Sequence, residues 1–147
     1  MHKNVKKPQT TNQNLKVAIC KENLSNEETT IWKCIVKKNE HKSWIAMGIC
    51  DKEVVTGKEG NKGFFVISVN DIYYESVNFG TEKSGEYFKK GDEINFTYNP
   101  KNSTLTYKIN DGEVKKVREV QPFKDSNHLG ICMILEGSDS EVEIIRK

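Results

Sequence analysis

The chain has 147 residues, enough for one domain with a buried core, and is 35% hydrophobic and 30% charged. Its net charge of +2 is carried almost wholly by lysine, with arginine only at Arg118 and Arg146, which speaks against a nucleic-acid surface. No apolar run approaches the ~20 residues of a membrane helix and no secretory leader opens the chain, so an intracellular protein, cytoplasmic or nuclear, is expected.

Met1–Asn14 is rich in Lys, Thr and side-chain amides and is expected to be a disordered leader, with one domain over Leu15–Lys147. Leu15–Cys20 reads as a strand and Lys21–Thr30 as a polar loop. In Ile31–Lys37, Trp32, Cys34 and Val36 share one face. After the turn Asn39–Lys42, Ser43–Cys50 is apolar on both faces and reads as a central strand. Asp51–Gly63 reads as a charged loop; its G-x-x-G-x-x-G spacing precedes no helix and is not a dinucleotide fingerprint. Phe64–Val69 and Ile72–Val77 are expected strands, followed by a loop over Asn78–Tyr87.

Lys89–Val114 carries the clearest alternation. Ile94, Phe96 and Tyr98 form one apolar row and Leu105, Tyr107 and Ile109 a second, with polar residues between them. Asn99-Pro100-Lys101-Asn102 is the first turn, and Asp111-Gly112 is read as a tight turn with both central residues at positive φ. Val114–Val120 is a polar strand suited to an edge. Leu129–Leu135 is a buried strand, and Glu141–Ile145 closes the chain with Val142 and Ile144 inward. Short strands at sandwich spacing and no helical period give an all-β, two-sheet antiparallel sandwich.

The cysteines, Cys20, Cys34, Cys50 and Cys132, form no C-x-x-C and read as buried thiols; a Cys20–Cys34 bridge stays open. Asp92, beside Gly91, is expected to bond turn amides rather than catalyse. His41 and His128 show no metal-ligand spacing, and Glu141 and Glu143 are expected to face solvent. No catalytic residue, cofactor site or metal site is assigned, and the chain does not read as an enzyme.

Gly91-Asp92-Glu93-Ile94, Ser103-Thr104-Leu105-Thr106-Tyr107 and Asn110-Asp111-Gly112 resemble the hallmark of the SPRY domain, with Ser103 in place of a Gly and Tyr107 of a Phe. Ile31–Val36 is similar to that family's W-E-V-E-V strand, Ile45–Ile49 to its I-x-V-G-V strand, Leu129–Met133 to F-P-A-V-S with Gly130 for the Pro, and Glu141–Ile145 to its closing strand. The motifs of a preceding PRY segment are absent. The resemblance implies a bent two-sheet antiparallel sandwich of the concanavalin A-like jelly-roll kind. It also implies a cofactor-free, monomeric domain that recognises a peptide or partner protein as the adaptor or substrate-recognition part of a larger protein or complex. The alternative is a glycan-binding, lectin-like domain, since lectins share that sandwich; no nucleic acid or membrane is expected as partner.

In relatives such as the SPRY-and-SOCS-box proteins, partners dock on loops whose counterparts here are Asn23–Thr30, Asn39–Lys42, Lys52–Lys62 and Glu136–Ser140. The expected surface lies at one end of the sandwich. It carries Glu27, Glu28, His41, Lys42, Lys52, Lys58 and Asp139, with Val54 and Val55 as the adjacent apolar pair suited to anchoring.

Overall fold

A computed structural model describes residues 15–39, 45–56, 60–67, 72–74, 78–79, 88–119, 127–136 and 140–146. The expected leader, Trp44, His41, Lys42, Lys58 and Asp139 lie outside these residues. Among the described residues there are eleven strands and no helix: β1 (Leu15–Ile19), β2 (Thr30–Asn39), β3 (Ile45–Thr56), β4 (Gly60–Ile67), β5 (Ile72–Tyr74), β6 (Asn78–Phe79), β7 (Glu93–Asn99), β8 (Thr104–Ile109), β9 (Lys115–Glu119), β10 (Leu129–Glu136) and β11 (Ser140–Arg146). They form two antiparallel sheets, of order β1-β10-β3-β4-β5-β6 and β11-β2-β7-β8-β9.

The alternation read from Lys89–Val114 is realised residue by residue. Ile94, Phe96, Tyr98, Leu105 and Tyr107 are buried, whereas Glu93, Asn95, Thr97, Thr106 and Lys108 stay partly exposed on the other face. Trp32, Phe96 and Tyr107 stand opposite one another across β2, β7 and β8. The Trp32 and Phe96 rings stack at 5.2 Å and 14°. From the first sheet, Ile45, Met47, Ile49, Ile131 and Met133 complete this core. Apolar on both faces, β3 is central, between β10 and β4. Its other face joins Ala46 and Cys50 to Cys132 and Ile134 in a second, smaller cluster. The polar strand β9 lies at an edge, as its lysines suggested, and Val142 and Ile144 pack on the core.

The four cysteines are free thiols, so no Cys20–Cys34 bridge exists. Burial, with Cys20 nearby, pushes the Cys34 thiol up to about 12. A hydrogen bond with Cys50, reinforced by burial, pushes Cys132 well above the ordinary thiol range. Only the half-buried Cys20 is accessible enough to react readily. Native alkylation followed by intact-mass measurement should show one fast adduct, at Cys20, and three that appear only on unfolding. Fast modification of all four would contradict this packing.

Three expectations are corrected. The described parts of Asp51–Gly63 are strand rather than loop: β3 continues to Thr56 and β4 begins at Gly60, and the two pair as an extended hairpin with a register irregularity between Cys50 and Val55. Ladder pairing of Val55 with Asn61 and Thr56 with Gly60 satisfies backbone groups that composition alone marked as loop. The strand expected over Ile72–Val77 is present as β5 at Ile72–Tyr74, its remainder lying outside the described residues, and the expected loop after it contributes the two-residue β6. The turn after β8 has its left-handed residue at Asn110 (φ 52), not at the Asp111-Gly112 pair. Asn adopts this conformation more readily than most residues, and here its side chain accepts from the Glu93 amide of the neighbouring strand at 2.9 Å. Ser103 is also left-handed (φ 53), which accounts physically for the glycine of the SPRY hallmark at that position.

Candidate binding surface

One end of the sandwich is built by the β1–β2 loop, the distal part of the β3–β4 hairpin and the segment leading into β10. Leu24 is the loop's buried anchor, and its amide donates to Leu129 O at 2.8 Å. Around that anchor, polar side chains hold the exposed residues in place. Ser25 Oγ accepts from the amides of Glu27 (3.0 Å) and Glu28 (2.9 Å), a local turn that these residue types favour. Asn23 Nδ2 donates to Asn127 O at 3.0 Å and Asn26 Nδ2 to Asn127 Oδ1 at 2.6 Å. Lys52 Nζ donates to Lys21 O, tying the loop to β3. The stem of Lys52 crosses Gly130, where an added Cβ would stand 2.7 Å from Lys52 Cε. A side chain at position 130 would make the flexible Lys52 stem shift from this path.

Among the described residues, the charges of this end are of both signs, Glu22, Glu27, Glu28, Asp51 and Glu53 with Lys21, Lys52, Lys62 and Arg146. Arg146 Nη1 meets Glu22 Oε1 at 2.8 Å and His128 Nε2 lies 3.3 Å from Glu53 Oε2. Such exposed pairs add little stability and orient side chains more than they hold the fold.

The described residues of the four loop segments expected to share one surface fall at two ends of the sandwich. Asn23–Thr30 and the hairpin from Lys52 share this end, joined by Lys52. Asn39 lies at the far end of β2 from Thr30, about 30 Å away for ten residues of strand, and Ser140 stands beside Asn39. Asn39 and Ser140, the described residues that flank the other two segments, thus stand at the opposite end, because β2 runs the length of the sheet. Glu27 and Glu28 are exposed, and Lys52 is half-buried; Val54 and Val55 are strand residues of β3.

The opposite end holds Asp92. Its Oδ2 accepts from the Lys89 amide at 2.8 Å and its Oδ1 from Asn110 Nδ2 at 3.1 Å. Gly91, at φ 96, lets the chain turn so that its amide reaches Val36 O at 2.7 Å. The expectation that Asp92 binds turn amides is met. Among the described residues, no group of three or more His, Cys, Asp or Glu could hold a metal.

A feature not anticipated from sequence is a groove of about 540 Å³ on the solvent face of the second sheet, over β2, β7 and β8. The alternating polar residues there were legible, but their concavity arises only from how the strands and the β8–β9 turn are arranged.

No family model matches the sequence, and no curated protein matches it. Two facing antiparallel sheets define the class as a β-sandwich. Within that class the architecture is that of SPRY domains. The chain superposes on the SPRY domain of human HERC1 with a TM-score of 0.72, at 15% identity, over 91% of this chain and 84% of that one. A second human SPRY domain gives 0.67 at 10% identity, over 92% and 87%. Winged bean acidic lectin, in complex with methyl-α-D-galactose, gives 0.52 at 11% identity, over 90% and 77%. At these identities the likeness is one of fold.

Proposed function

We propose that this domain is a protein-recognition module that docks a peptide segment or partner protein on the end formed by the β1–β2 loop and the β3–β4 hairpin. The observation that carries the reading is the exposed loop from Lys21 to Thr29, held in one shape by Ser25, Asn23, Asn26 and Lys52. A loop ordered before binding loses less conformational freedom when a partner arrives. Its exposed Glu27 and Glu28 favour a partner with a basic rim. The SPRY resemblance points the same way, towards a monomeric intracellular adaptor or substrate-recognition domain with no enzymatic activity.

The test begins with affinity capture from the source cells and proceeds with variants of known fold. Glu27→Lys with Glu28→Lys should slow association and change its salt dependence. Val54→Asp with Val55→Asp should weaken the complex by about 2 kcal/mol or more, the loss expected when an anchor is removed. Circular dichroism must first show an unchanged fold. Full-strength binding by both folded variants would exclude this end as the docking surface.

A further inference from the structure

We propose that the groove on the solvent face of the second sheet is a binding site for a neutral saccharide, separate from the docking end. Its floor is a lattice of cross-strand rows. Ile31, Thr97 and Thr106 stand in register across β2, β7 and β8, and Lys33, Asn95 and Lys108 form the next row. Neighbouring positions are ~5 Å apart across the strands and ~7 Å along them, the scale of one sugar ring with its hydroxyls. The volume of about 540 Å³ lies within the ~300–1,000 Å³ of small-ligand sites.

The chemistry of the lining selects among ligands. Asn95, Thr97 and Thr106 offer donors and acceptors together, and no hydrogen bond between described residues occupies their side chains. Ile31 on β2 and Val114 leading into β9, 42% and 68% exposed, line the same groove and put one apolar side chain at each side of it. A sugar presents the matching pair of features, a rim of hydroxyls and a face of C–H groups. Glu93 is engaged by Lys33 at 3.4 Å, and Lys108 and Asp111 add one charge of each sign to the lining, so the formal charges of the groove balance.

A peptide fits this lining less well. The groove floor is a sheet face whose strand backbones are paired on both sides, leaving main-chain groups unavailable for β-augmentation. It also lacks the deep apolar pocket that seats an anchoring side chain. Nucleic acid would call for arginine or exposed aromatic side chains, and the groove residues include neither.

Amide-resolved NMR titration of the intact chain with lactose, maltose and chitobiose, without added metal, tests this. At least one sugar should shift amides of β2, β7 and β8, with a Kd on the order of 1 mM. Asn95→Ala should weaken that binding about tenfold, the loss of roughly one hydrogen bond. Thr97→Val with Thr106→Val, which keeps shape and strand preference while removing both hydroxyls, should weaken it similarly. The Glu27→Lys, Glu28→Lys variant should bind the sugar unchanged, so failure of the docking end and failure of the groove are distinguishable. Absence of shifts with every sugar would overturn the proposal. So would undiminished binding by the folded groove variants, or groove shifts produced by an extended peptide and by no sugar.

Discussion

Phe96→Ala should destabilise the domain by about 3–5 kcal/mol, the usual cost of removing a fully buried aromatic ring. Phe96 has no exposed surface, stacks on Trp32 and lies 6.4 Å from the Tyr107 ring. Its loss would open a void in the middle of a three-strand aromatic row that cannot close without moving β2 or β8. For a domain of this size the melting temperature should fall by roughly 10–15 °C. The loss is a large share of the ~5–15 kcal/mol that holds a domain folded. Thr97→Ala, one residue along β7 on the solvent face, should cost well under ~1 kcal/mol. Equal losses from the two would mean that the inward and outward rows are misassigned.

The second large effect is expected at Asp92. Its carboxylate holds the amide of Lys89 and the side chain of Asn110, while its carbonyl accepts from the Val36 amide. Asn110 in turn accepts from the Glu93 amide and donates its own amide to Glu93 O at 2.7 Å. One carboxylate therefore links the start of β7 to the end of β8, beside β2. Asp92→Ala removes a charged acceptor of two bonds and should cost about 2–3 kcal/mol. Asp92→Asn keeps one acceptor oxygen and should lose about half as much. Denaturant unfolding of both variants measures this, and an Ala variant as stable as the parent would show that the turn is held by its backbone bonds alone. Gly91 adds an independent constraint. A Cβ there would meet nothing within 4 Å, so any loss in Gly91→Ala comes from the backbone conformation at φ 96.

These residues show why the SPRY hallmark is legible in the amino-acid sequence. The glycine, the aspartate and the asparagine answer local demands, a positive φ and unpaired turn amides, and local demands leave residue types at fixed spacing. The aromatic row is legible for the same reason: a strand with one buried face must alternate, and Ile94, Phe96 and Tyr98 do. The distal β3–β4 hairpin is not legible. Asp51–Thr56 carries charges that resemble a loop, and only the partner strand supplies the pairing that makes it a ladder.

Sequence by itself determined the class of fold, the inward rows, the role of Asp92 and the edge position of β9, because each follows from chemistry within a few residues. Tertiary structure alone decided which loops share an end. Segments on either side of β2 look equivalent as polar stretches, yet a ten-residue strand separates them by its whole length. It also decided that Lys52 reaches Lys21 across Gly130, and that Ile31, Thr97 and Thr106 line a single groove. Those relations join residues far apart in the chain, and strand order and register set them, properties that no local pattern of side chains encodes.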